Sequence, residues 1–244
     1  MRTTIGRSGT PPSRAARRFA VAVVALLSAA SSAVGQDRDV ILRAEFPVDL
    51  ASAPSVLAFR DVPDPGYAAR IPDGEAAAAL LAEARWTFSG MIWGFSYSYT
   101  PSDRARSIDE RFELAPLTPA ASAAMAPRAV AARLEGTVLY ATVEFYPDAS
   151  QRAELSSWKA SSAAGQGRGR APFLVPDARR QAVEDAVREA LRAYLRQVTH
   201  NKPREVRGTV ALAAPPRLSL LEGSWVASVR ILARVDEIVS YGAY

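Results

Sequence analysis

The chain has 244 residues, 49% hydrophobic and 23% charged, with no cysteine and a single histidine. That composition excludes disulfides, thiol chemistry, a cysteine-linked lipid anchor and any metal centre built from cysteine or several histidines. Basic residues outnumber acidic ones 30 to 25, but the surplus lies in the first 18 positions and is no nucleic-acid signature.

Residues 1–35 read as an export signal. Arg2, Arg7, Arg14, Arg17 and Arg18 form a basic region without an acidic residue, followed by an apolar run from Phe19 to about Leu27. That run is shorter than the ~20 residues that cross a bilayer. Ala33-Val34-Gly35 carries small residues where a signal peptidase reads them, which predicts cleavage before Gln36. Phe19 follows the arginine pair directly, so ordinary secretory export is read rather than a twin-arginine route. Cleavage removes five basic residues and no acidic one, leaving 25 of each and no net charge. The expected location is the periplasm or the medium, with no transmembrane helix in the mature chain.

Residues 36–72 read as a first strand, 38–46, and a proline-rich extended segment. Pro47, Pro54, Pro63, Pro65 and Pro72 bar helix interiors and central strands there. A single domain is expected over 73–244. Asp73 opens a strongly helix-forming run, "EAAAALLAEARW", which should stop near Ser89-Gly90. The period then changes to two, with Met91, Trp93, Phe95, Tyr97 and Tyr99 on one face of a strand. "TPSD" predicts a turn and 107–114 the returning strand.

After a small-residue connection, 131–146 reads as one long strand near the middle of a sheet, apolar on both faces. Asp148 caps a short helix over 149–160. "SSAAGQGRGR", about 161–171, has the composition of a mobile Gly/Ser/Arg loop. Pro176 and Asp177 open the clearest helix, which ends near Thr199. Two strands close the chain, "EVRGTVALA" and "GSWVASVRILARVDEIV". This order predicts an α+β fold, a mostly antiparallel β-sheet with two to three packed helices.

Catalytic motifs are missing. His200 stands at the predicted end of the long helix, where a cation complements the dipole. No GxSxG, SxxK, HExxH or EF-hand spacing occurs, so neither a catalytic residue nor a metal ligand is assigned. The acidic pairs Asp109-Glu110, Glu184-Asp185 and Asp236-Glu237 are sequence neighbours, whose side chains diverge on helices and strands alike. "GQGRGRAP" contains glycines and two cations, Arg168 and Arg170. It precedes a proline instead of joining a strand to a helix, so it reads as a loop and not a phosphate cradle. No cofactor is implied.

The densest feature is aromatic: six of the twenty aromatic residues fall within Trp86–Tyr99. Buried, they supply core. Exposed, rings about 6.5–7 Å apart suit a sugar or an extended peptide. Tyr97 and Tyr99, where the strand approaches the polar turn, are the candidate ligand contacts, with Arg104 and Arg106 beside them. The expectation is an exported, non-catalytic protein of a bacterial envelope that acts by binding or assembly, with an envelope protein or a glycan as partner and no nucleic acid. The competing reading is a small hydrolase of envelope polymers using converging carboxylates. Oligomeric state is not encoded in any recognisable pattern.

Overall fold

The computed structural model describes residues 40–49, 73–135, 138–175, 177–199 and 201–241. The expected signal segment, most of the proline-rich stretch and His200 lie outside them. The fold is α+β, and every strand pairing is antiparallel.

Two sheets are present. The smaller runs in the order β1 (Leu42–Asp49), β5 (Val138–Phe145), β4 (Arg128–Glu135). The larger runs β3 (Arg111–Pro116), β2 (Phe95–Thr100), β7 (Glu205–Leu212), β9 (Ser224–Val239), β6 (Ala163–Pro172). β8 (Arg217–Leu221) also pairs with β9, continuing the line of β7 after an interruption at Pro215-Pro216.

Helix α1 (Asp73–Ile92) binds the two sheets together. Phe88 meets Phe46 and Phe145 of the small sheet at ring distances of 6.0 and 6.3 Å. Trp86, on the same helix, meets Phe95 of the large sheet at 5.1 Å. Leu80, Ala84, Phe88 and Ile92 are all fully buried. A helix loaded with apolar residues on more than one side is one that packs on more than one side. One continuous core results, running from Leu42 and Val143 through α1 to Ile231.

Two shorter helices, α2 (Pro119–Ala124) and α3 (Ala149–Ser161), lie at the periphery. In α3 the Asp148 side chain accepts from Gln151 N while the Gln151 side chain accepts from Asp148 N, a reciprocal cap. Trp158 anchors this helix: its indole N–H donates to Ile92 O at 3.1 Å, and Arg234 lies 4.1 Å over its ring.

Several expectations need correction. α1 continues two residues past Gly90, because Met91 and Ile92 are buried, and the chain turns at Gly94 instead. That glycine has φ +80, and a Cβ there would lie 2.6 Å from Val210 O. The single strand expected over 131–146 is a hairpin, β4 and β5, with Glu135 opposite Val138. The return strand starts at Arg111, later than expected, because Asp103–Ile108 form a closed turn of their own.

The largest correction concerns 161–171. The expected mobile loop is strand β6, paired with β9 in unbroken register from Ala163↔Ala233 to Pro172↔Ser224. Helix α4 (Ala178–Val198) lies directly on it. Gly165, Gly167 and Gly169 face that helix, and Ala182, Ala186 and Ala190 meet them, each with 0% exposure. A Cβ on Gly167 would stand 2.0 Å from Ala186 O, and one on Gly169 2.1 Å from Ala186 N. Glycine is therefore a spacing requirement here: it lets helix backbone approach strand backbone.

Gly167→Ala should then lower stability by several kcal/mol, beyond the ~1–3 of ordinary overpacking, because the obstacle is backbone. Gly165→Ala, whose new methyl meets only the Ile231 side chain at 3.2 Å and Ala190 O at 3.4 Å, should cost distinctly less. Urea midpoints of the two variants check this, and equal midpoints would refute the close packing.

Candidate functional site

The residues singled out from the sequence do not form a surface. Odd-numbered residues of β2 point to the side covered by α1 and α4, so Tyr97 and Tyr99 are 3% and 4% exposed. The Tyr97 hydroxyl donates to Arg234 O at 3.3 Å, and burial pushes its pKa up. The Tyr99 hydroxyl donates to Glu110 Oε1 at 2.7 Å, and its pKa is raised by burial and by that carboxylate. Arg104 and Arg106 lie on a one-turn 3₁₀ helix, Arg104–Arg106, outside the sheet. Arg106 pairs with Asp103 at 2.7 Å and covers the Tyr241 ring at 4.3 Å. The expected contact surface is thus divided, with both rings in the core and both cations on a turn.

The carboxylates are engaged by arginine. Glu110 takes both oxygens to Arg192 Nη2 at 2.8 Å, and Arg192 also reaches Glu189 at 2.9 Å. This ties the turn after β2 to α4. Glu144, 4% exposed, sits between Arg43 on β1 and Arg128 on β4 in the sheet register. Arg43 Nε donates to it at 2.7 Å and the Tyr146 hydroxyl at 2.8 Å. Burial pushes the Glu144 pKa up, but the Tyr146 and Arg43 hydrogen bonds and the two arginine charges together hold it below the usual carboxylate value.

Glu83 differs. Its pKa is raised by burial between α1 and α4, and the partner is Arg179 at 2.5 Å, not a second carboxylate. Among the described residues no three His, Cys, Asp or Glu side chains are grouped to hold a metal ion.

The remaining concentration of polar groups is on the outer face of the large sheet, opposite α4. With its glycines inward, β6 sends Gln166, Arg168 and Arg170 outward, and all three are exposed. Register places Arg168 level with Ser228 of β9 and, beyond it, Arg217 of β8. Arg170 is level with Val226 and Ser219, and Gln166 with Arg230. Strand spacing puts the Arg168 and Arg217 backbones about 10 Å apart, and successive rows about 7 Å apart.

The side chains of Arg168, Arg217 and Arg230 have no hydrogen bond or ion pair to another described residue. Arg170 reaches only Glu222, at 3.5 Å with both side chains largely exposed. Such a pair contributes little to stability. The contrast is with Arg43, Arg133, Arg179, Arg180, Arg192 and Arg207, each held by a carboxylate.

A family model of uncharacterised proteins matches residues 30–241. The chain belongs to that family. It is similar to an uncharacterized protein of Treponema pallidum (strain Nichols), 26% identical over 162 residues that cover 65% of this chain and 68% of the relative. No solved structure matches it.

Sequence reading missed the arginine face because two of its members, Arg217 and Arg230, lie 45 or more positions from β6. Arg168 and Arg170 had been assigned to a loop. The available signal was the strict alternation in "GQGRGR", a period of two with glycine inside and polar groups outside.

Tyr97→Ala and Tyr99→Ala should each lose about 3–5 kcal/mol of stability, as large core truncations do, and unchanged melts would return both rings to the surface. Glu144 is bound more tightly as a carboxylate in the folded state, so its contribution is complete above the ordinary glutamate pKa and fades as pH falls through the lowered folded value. Glu144→Gln should destabilise by about 1–3 kcal/mol at pH ~7 and by much less at pH ~3. Urea titrations at the two pH values check this, and an equal loss at both would contradict it.

Proposed function

We propose that the protein is an exported, non-catalytic component of a bacterial envelope, and that it acts by binding an anionic envelope constituent on the outer face of the β6–β9–β8 region. The observation that carries this reading is the gathering on one sheet face of outward arginines whose side chains, among the described residues, have no carboxylate partner or only a long, exposed one. Guanidinium groups bind phosphate, sulfate and carboxylate in a planar two-bond geometry. A row of them on a rigid sheet costs little ordering when the ligand arrives.

The hydrolase reading has less support. General acid–base work on a glycosidic bond needs two carboxyl groups facing one another across about 5–9.5 Å, one of them kept protonated. Asp103, Glu144 and Glu205 are held below their ordinary pKa by arginine and hydrogen-bond partners, which favours the charged form in each. Glu83, the one carboxyl among the described residues whose pKa is raised, faces a cation.

The test is calorimetric titration with inorganic polyphosphate as a soluble anionic probe. Wild-type protein should bind, and binding should weaken as salt rises from about 0.05 to 0.5 M, since exposed charges are screened over a few ångströms at the higher value. The triple variant Arg168→Gln, Arg217→Gln, Arg230→Gln should lose on the order of 100-fold, at about fivefold per arginine. Undiminished binding by that variant would remove the reading.

A further inference from the structure

Among the described residues, the three most exposed large apolar side chains are Leu174, Leu221 and Leu220, at 58%, 56% and 55%. They come from two separate loops that meet at one end of the large sheet. Leu174 follows β6, while Leu220 and Leu221 end β8. The loops are joined: Phe173 N donates to Gly223 O at 2.9 Å, and the Phe173 and Trp225 rings lie 6.1 Å apart. The β8–β9 turn is Glu222-Gly223, both at positive φ, 50° and 69°, the geometry of a tight hairpin whose twist matches its strands. The leucines therefore project from a fixed tip.

This tip is continuous with the arginine face. Leu221 is level with Ser224 of β9, and Pro172 of β6 lies on the other side of the same residue. The next outward row holds Arg170 and the one after it Arg168 and Arg217. Two rows place those cations about 7 and 14 Å behind the leucines. Half-buried Phe173 follows β6 at the same end, and half-buried Trp225 is level with Ala171 and Leu220, on the face of the sheet opposite the arginines.

We infer that this end of the molecule docks on an anionic lipid bilayer, with Leu174, Leu220 and Leu221 entering the acyl boundary and the arginine rows against the phosphate headgroups. The inference rests on the anion-binding reading and names its partner. The order apolar tip, then cationic rows follows the order acyl chain, then headgroup in a leaflet. A headgroup layer about 5–8 Å thick takes the first arginine row, and the second remains within about a Debye length of the surface charge. An opposing charge, Glu222, stands at the very tip with its side chain 76% exposed. No described helix is long and apolar enough to cross a membrane, so the contact is peripheral.

The test compares vesicles of phosphatidylcholine containing about one third phosphatidylglycerol with vesicles of phosphatidylcholine alone, by co-sedimentation, beside polyphosphate titration of the same samples. Wild type should bind the anionic vesicles and not the neutral ones. The variant Leu174→Ser, Leu220→Ser, Leu221→Ser should partition at least about tenfold less while binding polyphosphate as wild type does. Its melt should be unchanged, since all three side chains are more than half exposed. Glu222→Asn, which keeps a residue suited to positive φ, should tighten vesicle binding about fivefold.

Vesicle binding unaffected by loss of the leucines would overturn the inference while leaving the arginine face its ligand. Polyphosphate binding without any vesicle binding would do the same. Failure to bind either probe would remove the anionic-partner reading itself.

Discussion

The contact on which the rest of the structure depends is the one between β6 and α4. Three glycines on the strand face three alanines on the helix, and the two backbones approach as closely as atoms allow. Close packing of this kind gains dispersion contacts over the whole length of the interface while ordering almost no side chain. It also imposes a division of labour on β6. Since the inward positions admit no side chain, all the chemistry the strand carries is on its outer positions, Gln166, Arg168 and Arg170. The helix seat and the cationic face are two sides of one alternating sequence.

The same logic explains why the larger sheet has one face that few of the described elements cover. Its inner surface is covered by α4 and α1, and α1 in turn carries the smaller sheet through Phe46, Phe88 and Phe145. α3 reaches the sheet's outer side only near Trp158 and Arg234. The remainder of that side, around Ser228, is left to side chains that need no cover. Arginine is suited to such a position, because its stem lies on the sheet while its head stays in water.

How much of this was legible in the sequence differed by element. The three longer helices were readable because their signals are local: alanine-rich composition for α1, the Asp148 cap for α3, a regular apolar stripe for α4. The alternation of β9 was readable for the same reason, and Ala227, Val229, Ile231 and Ala233 are buried as it implied. What failed was any inference in which composition stood in for partners. Glycine, serine and arginine in 161–171 resembled a linker, yet they form a strand because Ala182, Ala186 and Ala190, some twenty residues later, match the glycines in spacing. Of the aromatic stripe, Phe95, Tyr97 and Tyr99 share one strand face as read, while Met91 belongs to α1 and Trp93 to the turn; its exposure depended on where α4 lies, and Tyr97 and Tyr99 face it. The candidate site assembles from β6, β8 and β9, so its pattern appears only once the register is known.

The most direct measurement is amide hydrogen exchange along 163–172 in the free protein. A strand seated under α4 predicts that the amides of Gly165, Gly167 and Gly169 exchange as slowly as those of Ala186 and Ala190, opening only with the global unfolding of the domain. Exchange at the rate of an unstructured peptide across that stretch would contradict the account, removing both the glycine–alanine seat and the fixed outward direction of Arg168 and Arg170.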